Sequence, residues 1–228
     1  MRKAPVYLLI DTSKSMEGEP ITSVNLGIQN CIKALRTDPE SMEKAHVCII
    51  TFSEKAEIAL PLTYLPEIST VPEFKVNSTT SMGDAIRLLN ESLAKDLVPN
   101  DGEQQGDYKA FVVLFTDGRP TDKPVLEEEV KKLNRKKINY FIAATTSDSE
   151  EVKKILTEVT GKEENVIYLP ASSPDVYKQF FQWVTQSIGA SMSRGNKSKA
   201  IDDNGGDDGG DVGELPPLPN FNDEGDLL

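Results

Sequence analysis

Two cysteines, one histidine and one tryptophan are all that 228 residues contain of these types: Cys31, Cys48, His46 and Trp183. With no CxxC pair, neither a zinc knuckle nor a disulfide framework can be drawn, and buried free thiols in a reducing compartment are expected. The lone histidine sits where a strand begins, has no second imidazole to work with, and reads as structural. No serine occupies a G-x-S-x-G elbow. Nor does any apolar run approach the ~20 residues that cross a bilayer. The opening MRKAPVYLLIDTSKS has its apolar run only from Val6 to Ile10. A secretory h-region needs roughly 7–15 residues, so the segment reads as a strand of a cytoplasmic protein. A basic footprint is missing too. The net charge of −12 argues against non-specific nucleic-acid or anionic-membrane binding and admits a cationic partner, either a metal ion or a basic protein.

What is present is globular. Hydrophobic residues make up 38% and charged residues 27% of the chain, and a body of roughly 190 residues buries about 70% of its unfolded surface. VYLLI (6–10), HVCIITF (46–52), FVVLF (111–115), YFIAA (140–144) and VIYL (166–169) are short, nearly continuous apolar runs. Such runs suit strands covered on both faces of a largely parallel sheet. AEIAL (56–60) alternates instead and follows closely on the second run, as an antiparallel edge strand would. Helical periods lie between the strands. Ile21 to Leu35, Met82 to Leu97, Leu126 to Leu133, Val152 to Val159 and Val176 to Met192 repeat apolar residues at three- and four-residue steps. The β-α-β order predicts an α/β fold: a doubly wound, mostly parallel sheet with helices on both faces and one antiparallel edge strand. A polar loop is expected at 98–108.

Residues 1–194 form the expected domain. Beyond Arg194 the composition shifts to glycine, aspartate and one proline cluster. Between Gly195 and Leu228 two lysines face nine acidic residues, a net −7 that leaves −5 for the body. Residues 195–228 are therefore expected to form a disordered acidic tail, too poor in apolar surface to offset its ordering entropy. Its PxxP spacing (Pro216, Pro219) is either a polyproline-type ligand or a solvated extension.

Chemistry concentrates in LLIDTSKSM (8–16). In a parallel α/β sheet, ligands bind outside the carboxyl ends of the strands. Asp11 stands at that end of the first strand, and Asp117, in LFTDGRPTD, stands at the same end of the strand at 111–115. Two carboxylates there repel unless a positive charge lies between them. Ser13 and Ser15, two apart in an extended turn, can point the same way as Asp11. STTSMGDAI (78–86) then brings Thr79 and Thr80 just ahead of a helix. Carboxylate, hydroxyl and water oxygens, without imidazole or thiolate, match a hard octahedral cation such as Mg²⁺, with Mn²⁺ or Ca²⁺ also accommodated. Uncharged hydroxyls leave the ion's charge only partly neutralised, so it still seeks an acidic ligand from outside.

DxSxS (Asp11, Ser13, Ser15), a T-x-x-G opening a helix (Thr80, Gly83) and T-D-G (Asp117) together resemble the metal-ion-dependent adhesion site of von Willebrand factor A (VWA) domains. The resemblance covers roughly residues 4–192 in the same element order. LFTDGRPTD and the compact body resemble most the bacterial, tellurium-resistance-associated TerY-like branch. The resemblance implies that Ser13, Ser15 and Thr80 ligate the metal directly, that Asp11 and Asp117 bind it directly or through water, and that a partner's Glu or Asp completes the shell. It also implies a last helix that slides as the site rearranges, and a place in stress-response or phage-defence systems encoded near kinases and phosphatases. Two departures stand out. Ser78 and Thr79 replace the usual glycines, leaving Thr79 and Thr80 as alternatives, and the cysteines of relatives with an appended zinc ribbon are missing.

Each motif also has a plain structural reading. Asp11, Ser13 and Ser15 can cap a helix, Asp117–Gly118 can be a turn, and Thr80 can cap the helix it precedes. Thr121 and Asp122 are read as caps of the following helix, and Trp183, Phe180 and Phe181 as core. The function expected is a non-enzymatic, metal-dependent protein-interaction module. The alternative is a metal-dependent phosphohydrolase, but the second acid that haloacid-dehalogenase-type phosphatases need two residues after the first is Ser13 here, with no general base and no phosphate loop. A further expectation is that acids of the tail occupy the metal site of the same or a neighbouring molecule.

Overall fold

A computed structural model describes residues 2–100, 105–170, 174–193 and 215–221. The chain runs β1 (Ala4–Asp11), α1 (Glu19–Leu35), α2 (Pro39–Lys44), β2 (Ala45–Phe52), β3 (Ala56–Tyr64), α3 (Met82–Asp96), β4 (Ala110–Thr116), α4 (Lys123–Lys132), β5 (Ile138–Thr145), α5 (Glu150–Thr160), β6 (Val166–Tyr168) and α6 (Pro174–Ser193). The strands form one sheet in the order β3-β2-β1-β4-β5-β6. All neighbours are parallel except the β2–β3 pair. The antiparallel edge strand is the expected one, extended to Tyr64 and irregular in register, and Pro61 is tolerated because its outer side has no ladder to complete.

Every residue of β1 and β4 is buried, as their continuous apolar runs require. Alternation sorts their side chains into two cores. Val6, Leu8, Ile10, Phe111, Val113 and Phe115 face α1 and α6. Tyr7, Leu9, Val112 and Leu114 face α3, α4 and α5. The stripe Val176, Phe180, Val184, Ile188 and Met192 is buried along α6, as are Phe181 and Trp183. Full burial of side chains this size contributes about 1.5–3 kcal/mol each. Phe115 is stacked around by Tyr177, Phe180 and Phe181, with ring centroids 5.8, 6.1 and 6.2 Å away.

Local signals explain most boundaries. Asp38 caps α2 by accepting from the Ser41 amide at 2.8 Å. Gly161 ends α5 in the left-handed region, with φ of +84°. Cys31 and Cys48 are buried and free. His46 is structural: its Nδ1 lies 3.0 Å from the Lys44 carbonyl and its ring 5.2 Å from Tyr64.

Most of the expected acidic tail lies outside the described residues. The exception is Leu215–Phe221, in which Leu215 and Phe221 pack against the core beside α6 while Pro217, Leu218 and Asn220 are exposed.

Helix contacts set two opposite expectations for glycine. A Cβ on Gly27 of α1 would fall 2.1 Å from the Phe181 ring of α6, whereas one on Gly189 would meet nothing within 4 Å. Gly27→Ala is expected to cost about 1–3 kcal/mol through overpacking, despite its better helix propensity. Gly189→Ala is expected to add about 0.5–1 kcal/mol. Thermal denaturation of the two variants beside the parent reads both signs.

Candidate functional site

The strand order reverses between β1 and β4: the chain leaves β1 toward β2 on one side, and β4 lies on the other. This is the topological switch point, where doubly wound sheets open a crevice at their carboxyl edge. Asp11 ends β1 there, and Thr116 ends β4, each one position past the Ile10–Phe115 pair. The Asp11 carboxylate is fully buried. Its Oδ1 accepts from the Ser13 amide at 2.8 Å, and its Oδ2 from the Thr116 hydroxyl at 2.6 Å.

From Asp11 a line of oxygens climbs toward solvent. Ser13 Oγ lies 3.0 Å from Ser15 Oγ, and Ser15 donates to Asp117 Oδ1 at 2.8 Å. Ser13 is buried, Asp117 half-buried and Ser15 exposed, so the group is closed below and open above. The DxSxS turn is held from both ends. The Thr12 amide bonds the Phe52 carbonyl at 2.8 Å, and Met16 is fully buried at the end of a short 3-10 turn.

Thr80 arrives from the far side. A Cβ built on Gly118 would lie 3.7 Å from Ser15 Oγ and 3.8 Å from Thr80 Oγ1, so both hydroxyls flank one point over that glycine. Thr80 is buried. Thr79 is exposed, with its hydroxyl directed at the Ser53 carbonyl 3.5 Å away. All five residues singled out in the sequence, Asp11, Ser13, Ser15, Thr80 and Asp117, therefore share one rim of the sheet, and Thr79 turns away from it.

The residues that hold Thr80 in place depart from the sequence reading. Asp122 occupies the first position before α4, yet its side chain caps α3 instead, accepting from the Gly83 and Asp84 amides at 3.0 Å each. Thr121 bonds the Thr80 carbonyl through both its amide, at 2.9 Å, and its hydroxyl, at 3.1 Å. Local spacing suggests self-capping because a helix that begins soon after Asp117 looks as if it needs its own cap. Non-local contact wins because α3 and α4 approach so closely. A Cβ on Gly83 would come within 2.5 Å of the Leu126 amide nitrogen. Thr116 is a partner of Asp11 that sequence reasoning misses, although its place directly before Asp117 at a strand end is an available signal.

Among the described residues the two carboxylates of the site have no ion-pair partner. Burial pushes the Asp11 carboxyl up to about 6, against the pull of its hydrogen bonds from Ser13 and Thr116, and the neighbouring Asp117 raises it further. Burial likewise raises Asp117, against its bond from Ser15. Among the described residues no ion pair reaches either carboxylate; Arg119 and Lys123 are both engaged by Glu151. Nor do the described residues hold a cluster of three or more histidine, cysteine or carboxylate ligands. The donor set here is carboxylate plus hydroxyl, all oxygen, which fits a hard divalent cation.

The von Willebrand factor type A domain profile matches residues 6–182. The chain belongs to the von Willebrand factor type A family. No curated protein sequence matches it. The pilus adhesin SpaC of Lactobacillus rhamnosus GG, in its open conformation, superposes with a TM-score of 0.65 at 15% identity, covering 83% of this chain and 30% of that one. Proximal thread matrix protein 1 of the mussel byssus, with a zinc-occupied MIDAS motif, gives 0.58 at 17% identity, covering 84% and 46%. A von Willebrand factor type A protein of Catenulispora acidiphila gives 0.58 at 15%, covering 82% and 43%. This VWA chain thus spans less than half the length of each of these structures, and at such identities the likeness is one of fold.

The cap contributed by Asp122 has a measurable consequence. Asp122→Ala is expected to cost about 0.5–2 kcal/mol in urea denaturation, the range for losing a helix cap. Thr79→Ala should leave the midpoint essentially unchanged.

Proposed function

We propose that this VWA domain is a divalent-cation-dependent protein-interaction module. Asp11, Ser13, Ser15, Thr80 and Asp117 would hold the ion, Mg²⁺ by preference, with Mn²⁺ or Ca²⁺ as substitutes, and an acidic residue of a partner protein would complete its shell. One observation carries the reading: an oxygen-only group of two carboxylates and three hydroxyls, gathered from three separated segments and closed on the protein side, with no ion pair to either carboxylate among the described residues. The ion would supply the positive charge that two neighbouring carboxylates need. The chain's own residues do the rest. Thr116 and the Ser13 amide fix the orientation of Asp11, the Ser15 hydroxyl joins Ser13 to Asp117, and Thr121 with Asp122 sets the position of Thr80. Thr80, buried and turned toward Gly118, is favoured over Thr79 as the hydroxyl donor.

The mussel byssus protein with zinc in its MIDAS motif supports a divalent ion at this kind of site. Within the family we place the chain nearest the TerY-like branch, on the sequence of residues 114–122 and the compact body. On that reading it acts in a cytoplasmic bacterial stress-response or defence system, with a kinase or phosphatase encoded nearby as a candidate partner. The profile and the matched structures speak for the family alone. The module is read as a binder rather than an enzyme.

Calorimetric titration with MgCl₂ and MnCl₂ is expected to show saturable binding by the parent and none by Asp11→Ala. Thr116→Val, which removes the donor behind Asp11 together with a 3.3 Å bond from the Gly118 amide, should weaken binding roughly 10–100-fold, as loss of an outer hydrogen-bond partner does at other metal sites. A pull-down in Mg²⁺ should retain partner proteins that EDTA releases and Asp117→Ala never captures. Identical retention in EDTA would sink the reading. Phosphate-ester turnover that vanishes in Asp11→Ala would replace it with hydrolysis.

A further inference from the structure

Trp183 is buried along α6, but its polar edge finds a partner far away in sequence. Its Nε1 donates to the carbonyl of Pro216 at 2.9 Å, across 33 positions. The segment that supplies this carbonyl, Leu215–Phe221 (LPPLPNF), has no helical or strand pairing. Its exposure has a period. Pro216 and Pro219, three apart, are half-buried, whereas Pro217 and Leu218 between them are exposed, Leu218 at 48%. A polyproline II helix has three residues per turn and no internal hydrogen bonds, so PxxP places both prolines on one face. Leu215 and Phe221 flank that face and pack against the core cluster that contains Trp183, Phe180 and Met192.

This is how proline-rich peptides are recognised in general. An aromatic surface receives the proline face, and an indole N–H takes a backbone carbonyl that the extended helix leaves unpaired. Proline's fixed φ lowers the entropy lost on docking. The connection imposes no placement of its own. Trp183 lies ten residues from the end of α6, about 15 Å along its axis. Residues 194–214 have a contour of about 70 Å, so the contacts select the docked position.

We propose that the Trp183 face of α6 is a docking site for an extended proline-rich segment, and that the chain fills it with its own residues 215–221 as a tethered, removable ligand. The segment is read as a ligand on a folded domain because α1 and α6 meet directly without it: a Cβ on Gly27 of α1 would fall 2.1 Å from the Phe181 ring of α6. Tethering holds such a ligand at an effective concentration on the order of millimolar. A free segment of the same chemistry, leucine and proline at these spacings, therefore competes only when the tethered copy is released. None of Asp11, Ser13, Ser15, Thr80 or Asp117 is part of this contact, and its test needs no metal.

Trp183 is the only tryptophan in the chain, so indole emission reports on this contact alone. In the full-length protein, Leu215→Ser/Phe221→Ser is expected to shift the emission to the red and increase acrylamide quenching, with far-UV circular dichroism unchanged. Synthetic peptide 214–221 should then reverse the shift saturably, and a peptide of scrambled order should not. A fluorescein-labelled copy should bind the double variant at least about tenfold more tightly than the parent, whose tethered segment competes. Trp183→Phe in the double-variant background should weaken that binding about fivefold, the worth of one hydrogen bond. Unchanged emission in the double variant would overturn the proposal, as would a red shift that no peptide reverses. Loss of the circular dichroism signal would overturn it too, since a removable ligand is not needed for folding.

Discussion

A carboxylate buried at the carboxyl end of the central strand pair is the constraint from which the rest of this rim follows. Asp11 is held by a 2.6 Å hydrogen bond from Thr116, so β1 and β4 are joined by side chains just where their ladder ends. Burying an ionised group is expensive unless it is paired and hydrogen-bonded. Here the hydrogen bonds are present and the pairing charge is not, and the acid is pushed up to about 6. A second carboxylate, Asp117, makes the deficit worse. The side chains that bond to the pair, Thr116 and Ser15, are neutral hydroxyls. Such an arrangement would be poor design for stability alone, and it becomes coherent once the site is read as waiting for positive charge.

Position matters as much as composition. Ser13 and Ser15 follow Asp11 directly, but Thr80 has to be carried in on the irregular connection after the edge strand. Several contacts pin that connection. The Asn77 amide donates to the Thr12 carbonyl at 2.7 Å, the Ser81 amide to the Ser53 carbonyl at 2.7 Å, and the Thr121 amide to Thr80 itself. Asp122 closes the clamp at the amides of Gly83 and Asp84. The helices meet across Gly83 because nothing larger would fit against the α4 backbone. The glycine of T-x-x-G is thus explained by packing, and its link to the rim is indirect: it lets α3 and α4 come close enough for one carboxylate to bridge them.

Much of this architecture is legible in sequence because strands buried on both faces leave an unmistakable apolar run. VYLLI and FVVLF become the two wholly buried strands, and AEIAL, which alternates, becomes the half-exposed edge. The rim residues are legible for a different reason: strand ends on one edge of a parallel sheet share a neighbourhood whatever their distance in sequence. Three things are not legible. The six-residue helix α2 is too short for a hydrophobic period. The side chain of Asp122 chooses between two helix ends, a choice settled by how closely they pack. In the tail, composition averages over an acidic, glycine-rich stretch and hides Leu215 and Phe221, which pack on the core, and Pro216, whose carbonyl meets Trp183. An expectation of disorder rests on too few apolar groups per length of chain, an average that carries no information on where single residues such as Leu215 and Phe221 lie.

On the proposed reading, charge also explains why a metal would be needed where a hydrogen bond could have served. The chain carries a net −12, and its rim holds two carboxylates. An acidic residue approaching that rim meets repulsion at short range, where screening over about 8 Å offers little relief. Lysine or arginine at the rim would have solved the problem permanently, but Arg119 and Lys123, which follow Asp117 closely in sequence, are committed to Glu151 instead. A bound divalent ion offsets the two rim carboxylates, and so lifts that repulsion, only while it is present. Contact and permission then reside in the same atom, and association falls with the ion instead of merely weakening. A rim of two carboxylates and three hydroxyls built on a rigid switch point suits such an exchangeable charge, because it fixes the ion's place and is open on the solvent side.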